Sequence, residues 1–471
     1  MERQSIWREL AATGHLKTFA VICGGIWLHA ADSLVTATLM PAAIGDIGGL
    51  TFINWTISLY QAGSIVTGAA AGAATQRLGL RAAFLAAMLV YGLGCLVAAL
   101  APTMALMLAG RLMQGMGGGM LLSLGYVATQ ALFPRHLWTR LIAMEAVIWS
   151  VAALCGPLLG ALFVELGFWR GAFWMFAAQA SLLMLAVAAL IPGTAAEVPG
   201  GRWPWLPLLL LFAATLAVAT AGEVRGTAPS LLLGGLGLGL LVLAALADRR
   251  SPDRMLPRNT LTPGHPVAAG LLMVLTISAA TTGFWVYGPL ILKVLFEAPP
   301  LVAGWLLAAE SIAWSLGTLT VSRASAARQP GLIRLGIGLA AAGACGFLLA
   351  IPGRSLVGVS LCVLLQGAGF GVFWPFLMGR LVTNAPREEQ ALAASAAPNV
   401  QRIGYALGAA AAGISANSAG LAEGMTADEA VFASTWVFAV FVPLVAVACA
   451  AAWRFTAAEG PSAVEVRRPL G

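Results

Sequence analysis

Gly110-Arg111-Leu112-Met113-Gln114-Gly115-Met116-Gly117-Gly118-Gly119-Met120 decides how this chain is read. The stretch lies inside an apolar run from Met104 to Phe133, long enough as a helix to cross roughly 30 Å of hydrocarbon. Arg111 is a permanent cation that costs several kcal/mol in hydrocarbon, so it requires an acidic partner or a wet cavity. The glycines let a second backbone approach closely, as small residues do where membrane helices meet. A second copy, Leu364-Leu365-Gln366-Gly367-Ala368-Gly369-Phe370-Gly371, follows at an offset of 252 residues. The offset holds without gaps through Pro134-Arg135 against Pro386-Arg387 and on to Gly156 against Gly408. The chain reads as a membrane protein of two related halves.

Composition agrees. The chain is 60% hydrophobic and 10% charged, with a mean hydropathy of +0.88, far from the balance of a soluble domain. All six cysteines fall in apolar runs without metal-type spacing and read as small packing residues, not a disulfide frame. Met113, Met116 and Met120 lie along one helix face, but no His or Cys joins them, so they read as packing and no metal site is expected.

Fourteen apolar segments are expected to span: 18–41, 52–74, 82–100, 104–133, 141–166, 172–191, 205–221, 229–247, 266–292, 301–321, 335–351, 356–381, 391–414 and 431–453. Arg3, Arg8 and Lys17 precede the first in what reads as a short polar helix. The run after them is too long for the apolar core of a signal peptide, so it is expected to stay as the first span. The layout is six, two and six: an N-terminal bundle (1–192), two extra helices with a polar linker (193–265), a C-terminal bundle (266–455) and a tail (456–471). With the N-terminus inside, twenty Arg and Lys fall on inner segments and four (Arg170, Arg225, Lys293, Arg354) on outer loops. That bias follows the positive-inside rule, puts both termini in the cytoplasm and explains the net charge of +7 without nucleic acid. The Arg-, Ala- and Gly-rich composition suggests a bacterial source and hence the cytoplasmic (inner) membrane.

Four passages carry a family resemblance: Asp32 to Pro41; Trp55 to Tyr60 with Gly72 to Arg81; Arg111 to Gly119; and Gly156-Pro157-Leu158-Leu159-Gly160. Together with the six-two-six layout they resemble the major facilitator superfamily, and within it the fourteen-helix drug:proton antiporters. The resemblance implies an all-α polytopic fold of two six-helix bundles plus two central helices. It implies gating roles for Gly72, Gln76, Arg77, Gly79 and Arg81 in the loop after the second span, and for Gly156, Pro157 and Gly160 in the fifth. The chain departs from the family pattern where an acid is usual at Gln76 and a base at Leu80. That acid helps to latch the cytoplasmic ends of the two halves in relatives.

Five charges lie well inside the expected spans: Asp32, Arg111, Glu145, Glu310 and Arg402. Asp32 and Arg111 fall at similar depths, and His29 stands three residues before Asp32 on the same helix face. A carboxylate, a guanidinium and an imidazole at one depth make a proton-coupling site; the bland alternative is a fixed packing pair. Glu145 is either a cytoplasmic relay or a residue that reaches the interface to pair with Arg135 or Arg140. Glu310 and Arg402 sit near mid-span, where a pair would form a second polar site at substrate depth. Candidate cavity residues are Tyr60, Gln61, Gln114, Trp149, Trp285, Glu310, Trp314, Gln366, Trp374, Asn399 and Arg402, with Tyr287 and Phe373; inter-helix packing or lipid contact is the other role open to the aromatics.

The expected function is a proton-coupled exporter of small amphipathic compounds, working by alternating access. The alternatives are a transporter for one solute (a lipid, siderophore or metabolite) and a non-transporting scaffold or sensor, against which the buried charges speak. An enzyme is not expected, since no GxxxxGK[ST] loop or large soluble insert occurs. No cofactor is expected beyond the proton gradient; the partners are substrate, protons and lipid, and the chain is expected to be monomeric.

Overall fold

A computed structural model describes residues 14–49, 52–193, 202–224, 226–421 and 425–457. Most of the N-terminal polar segment, Arg225 and the tail from residue 458 lie outside the described residues. What is described is helical, with no strand among the described residues. In chain order the helices are α1 (His15–Ile47), α2 (Ile53–Ala69), α3 (Ala71–Leu78), α4 (Leu80–Ala99), α5 (Met104–Leu132), α6 (Arg135–Glu165), α7 (Arg170–Leu190), α8 (Trp205–Glu223) and α9 (Thr227–Arg250). They continue as α10 (Pro266–Phe296), α11 (Pro300–Val321), α12 (Gln329–Ala350), α13 (Leu356–Thr383), α14 (Gln390–Ser418), α15 (Ala427–Ala439) and α16 (Val442–Ala457).

Among the described residues, eleven helical segments are long and apolar enough to cross a membrane. Three expected spans fall outside that set: α2, which stops at 17 residues where the chain turns at Ala70, and the polar, glycine-containing α5 and α14. These are the helices that carry Arg111 with Gln114, and Asn399 with Arg402. The second and last expected spans are each interrupted, at Ala70 between α2 and α3 and after Ala439 between α15 and α16.

The helices group into two compact units, residues 1–212 with 251–255, and residues 213–250 with 256–471. In the first, α5 packs between α2 and α4, α1 packs on α6, and α4 on α7. In the second, α13 packs between α11 and α12, and α10 on α14 and α16. The glycines explain why both units use one plan. A Cβ at Gly115 would lie 2.0 Å from the Tyr60 carbonyl oxygen, at Gly117 2.4 Å from Tyr91 Cβ, and at Gly119 2.2 Å from the Ser64 oxygen. At the repeat positions, a Cβ at Gly367 would lie 2.2 Å from the Glu310 oxygen, at Gly369 2.6 Å from Ala340 N, and at Gly371 2.1 Å from the Trp314 oxygen. Real Cβ atoms do not come so close, so in each unit the glycine face draws two neighbours onto one helix.

The other repeat glycines behave alike. Gly156 and Gly160 of α6 accept Leu34 and Thr38 of α1, with would-be Cβ contacts of 2.8 Å each, and Gly408 of α14 accepts Ala279 of α10 at 2.3 Å. Pro157 sits within a continuous α6. The two central helices lean on the second unit, where a Cβ at Gly413 of α14 would lie 2.8 Å from the Gly222 oxygen of α8.

Candidate functional site

Asp32 and Arg111 meet inside the first unit. Arg111 Nη1 donates to Asp32 Oδ1 at 2.8 Å, with the two side chains 1% and 0% exposed. Two helices place them: the glycine face of α5 draws that helix between α2 and α4, and α1 lies alongside. Nη1 also reaches Gln114 Oε1 at 3.0 Å, and Nε donates to the Thr56 carbonyl at 3.3 Å. The guanidinium carbon stands 4.3 Å from the Tyr60 ring centroid, a cation–π contact strengthened by exclusion of water. A desolvated cation is tolerable in such a cage, with Nε and Nη1 hydrogen-bonded and a counter-charge attached.

The carboxylate is held less completely than the guanidinium. Asp32 Oδ1 also accepts from the Thr36 hydroxyl at 3.1 Å, one turn along α1, whereas Oδ2 has no hydrogen-bond partner. The Tyr91 hydroxyl, which donates to the Leu28 carbonyl at 3.2 Å, stands beside the carboxyl, and a proton arriving at Oδ2 would leave the Arg111 and Thr36 bonds at Oδ1 in place. Beside the pair, the Tyr60 hydroxyl lies 2.8 Å from His29 Nδ1 and 3.0 Å from the His29 carbonyl oxygen. A hydroxyl has one proton, so both contacts are satisfied when Nδ1–H donates to the hydroxyl and the hydroxyl donates to the carbonyl. The His29 ring stacks on Tyr60 and meets Trp149 edge-on at 5.8 Å. Gly118 makes room, since a Cβ there would lie 2.9 Å from His29 Nδ1 and 3.1 Å from the Tyr60 hydroxyl.

Three participants escaped the sequence reading. Thr36 was legible in principle, four residues after Asp32 and so on its face. The Thr56 carbonyl was not, because a backbone acceptor has no side-chain signature. Cys95 is more than packing: Gln114 Nε2 donates to its Sγ at 3.2 Å, which fixes the amide with its oxygen toward Arg111.

Glu145 is fully buried and does not reach the interface. Its Oε1 accepts from the Thr129 hydroxyl at 2.5 Å and Oε2 has no hydrogen-bond partner. Among the described residues it forms no ion pair with Arg135 or Arg140, and the Arg135 guanidinium lies 5.8 Å from the Trp138 ring. In the second unit Glu310 is 6% exposed and has Trp285 as its hydrogen-bond partner, with Oε2 unmatched. Among the described residues no ion pair joins Glu310 to Arg402, which is buried on α14; Glu310 meets Trp285 of α10.

Trp314 stacks on Phe370 at 4.8 Å and meets Trp374 at 6.1 Å, so these rings form one cluster, which Phe373 extends. Gln366 is buried on α13 with its Oε1 unbonded, and Asn399 donates to the Ser395 carbonyl of its own helix. Gln61 and Trp285 are exposed.

The loop after α2 is built as short helix, turn and helix. Gly72 is buried in α3, and Gly79 takes φ 80° between α3 and α4, a left-handed conformation that suits glycine. Arg77 Nη2 donates to Asp253 Oδ1 at 2.9 Å and Nη1 to the Ala73 carbonyl at 3.1 Å. Arg81 is half-buried at the start of α4.

The Major Facilitator Superfamily family model matches residues 22–295. A Mycobacterium tuberculosis protein named a probable multidrug-efflux transporter is 34% identical over 427 residues, covering 88% of this chain and 90% of that protein. An uncharacterized Escherichia coli transporter, YebQ, is 23% identical and covers 84% of this chain and 88% of its own length. Among solved structures, the human organic anion transporter MFSD10 (TM-score 0.65, 16% identity) covers 93% of this chain and 99% of its own. The proton:xylose symporter XylE (TM-score 0.64, 15% identity) covers 93% of this chain and 95% of its own. With buried charges on glycine-packed helices repeated in two units, these likenesses place the chain in the major facilitator superfamily, as a multi-pass membrane transporter and not an enzyme.

Proposed function

We propose that this transporter is a proton-coupled exporter of small amphipathic, drug-like compounds that works by alternating access. The observation that carries the reading is the Asp32–Arg111 pair: a carboxylate at 0% exposure, charge-compensated, with one oxygen left free to take a proton. Intramembrane charges of this kind are costly and mark ion or proton pathways. The 34% identical relative named for multidrug efflux supports drug-like cargo. In this reading Asp32 carries the proton, Arg111 balances it, and His29 with Tyr60 passes it on or excludes water. Glu145 offers a second protonatable group on the same unit. Fourteen spans, termini in the cytoplasm, the bacterial inner membrane, a monomeric state and the domain limits 1–192, 193–265, 266–455 and 456–471 complete the proposal.

A bound proton or substrate shifts the balance of inward- and outward-facing states only by its differential affinity for the two. Coupling therefore requires that one group feel both ligands, and in this reading Asp32 takes that role. The test is substrate-induced proton movement in proteoliposomes holding an internal pH dye, with a panel of organic cations, organic acids and lipids. Wild type is expected to move protons with amphipathic compounds and Asp32→Asn is not. Proton movement with one metabolite alone would favour the single-solute transporter, and full coupling by Asp32→Asn would overturn the assignment.

A further inference from the structure

Residues 251–255 pack with the first unit, although the chain on either side of them, 213–250 and 256–471, packs with the second. They form a hook. At its tip Asp253 takes Arg77 Nη2 at 2.9 Å, with the two side chains 20% and 7% exposed. The Arg77 guanidinium lies 5.6 Å from the centroid of the Trp203 ring. Ser251 bonds the backbone of Asp253 twice, through its hydroxyl to the carbonyl at 2.8 Å and from the amide at 3.2 Å, so the tip is preorganised. Met255, next to the tip, is 4% exposed.

The base of the hook is pinned as well. The Leu256 amide donates to Asp248 Oδ2 at 3.2 Å, and Asp248 itself is 2% exposed. Two residues further on, Arg258 pairs with Glu389 at 3.0 Å, within the second unit. A loop closed at residues 248 and 256 has little slack, because the extended chain spans at most ~3.3–3.6 Å per residue.

We propose that this hook is a cytoplasmic latch in which Asp253 supplies the acid that the sequence lacks at Gln76. It seats on Arg77 in the state described here and unseats when the transport cycle moves the two halves. The proposal rests on alternating access: a pinned loop of this length cannot stretch, so movement of its root releases its tip. An acid on α3 itself moves with Arg77, whereas an acid on the linker reports the movement of the chain it hangs from. The partial burial of the pair and the ring beside it raise its worth above that of an exposed ion pair.

The test reads the seat directly. In a background that keeps the fully buried Cys95 and lacks the other five native cysteines, Met255→Cys is labelled by a membrane-impermeant maleimide in inside-out vesicles. Labelling is expected to be slow with Asp253 intact and about tenfold faster with Asp253→Asn, the scale of one charge-assisted hydrogen bond. Asp253→Arg and Arg77→Asp are expected to label fast singly and slowly when combined. Unchanged labelling in Asp253→Asn, or a combined variant as fast as the singles, overturns the latch. Addition of a transported compound is expected to change the wild-type rate, and a rate indifferent to every transported compound also overturns it. Labelling that follows the charges in a protein that moves no amphipathic compound leaves the ion-paired seat standing and refutes the export reading instead.

Discussion

Arg111→Met is the most informative perturbation of the first unit, because it deletes the guanidinium while keeping much of the side-chain volume. It leaves Asp32 Oδ1 with Thr36 alone, and Gln114 Oε1 and the Thr56 carbonyl without their donor. Breaking a buried ion pair from one side costs about 3–5 kcal/mol, since the surviving charge is uncompensated. Loss of the Tyr60 cation–π contact, up to about 2 kcal/mol, falls within that sum. Removing both charges has a different outcome, because neutral groups of similar volume replace a buried pair at little or no cost. Asp32→Asn combined with Arg111→Met is therefore expected to be more stable than Arg111→Met alone, by at least about 2 kcal/mol. Reversible unfolding in mixed micelles with rising denaturing detergent measures this, and proteoliposome proton flux is expected to be absent from all three variants. Single effects that add to within about 0.5 kcal/mol would show that the two charges do not act as a unit.

Other expectations follow from the same contacts. Tyr60→Phe keeps the ring under Arg111 but loses both hydroxyl contacts to His29; transport should fall by up to about tenfold with folding intact, measured as initial rates against a Tyr60→Ala variant that loses both features. Gly115→Ala and Gly371→Ala drive a methyl to 2.0 Å and 2.1 Å of a facing carbonyl and should each destabilise by at least about 1–3 kcal/mol, whereas Gly235→Ala, with nothing within 4 Å, should be neutral in the same detergent unfolding assay. Glu145→Gln removes a buried acid whose one hydrogen-bond donor is the Thr129 hydroxyl and should fold as well as wild type; a change in protons moved per substrate, from calibrated flux, identifies it as the second proton carrier, and an unchanged ratio removes it from the pathway.

The main lines of the fold could be read because membrane helices are written in hydropathy and their contacts in glycine. Each expected span coincides with a helix or a pair of helices, and the repeat at Gln114 and Gln366 predicted that α5 and α13 hold equivalent places. Asp32 and Arg111 could be paired because few charges lie deep in the spans and these two share a depth. The same reasoning failed for Glu310 and Arg402, because depth fixes height along a helix and not the direction a side chain faces. Glu310 turns to Trp285. Asp253 was invisible as a partner for Arg77: they lie 176 residues apart, and a charge in a polar linker reads as solvated until the chain is folded.

The repeat also shows where the two units part company. Gly115, Gly117 and Gly119 have counterparts in Gly367, Gly369 and Gly371, and a Cβ at either first glycine would strike the backbone of the neighbouring helix, at Tyr60 or at Glu310. Yet Arg111 corresponds to Val363, and the position that holds the Tyr60 ring under a guanidinium in one unit holds an acid in the other. Packing constrains the glycines, because a methyl there separates two helices whatever the cargo. It does not constrain the side chains that point off the glycine face, so those were free to diverge after duplication. The first unit kept a compensated charge pair, stable through its own contacts. The second holds a carboxyl that has an indole for its partner and, among the described residues, no ion pair. A buried acid without a local counter-charge gains most from a ligand that brings one. The duplicated scaffold thus carries two unlike polar sites, and comparing Asp32→Asn with Glu310→Gln on cationic and neutral compounds separates their roles. If Glu310 answers to cargo, Glu310→Gln lowers transport of cations and spares neutral compounds, while Asp32→Asn stops both. Equal losses for the two classes in Glu310→Gln would mean that its carboxyl serves structure or protons and not the charge of the cargo.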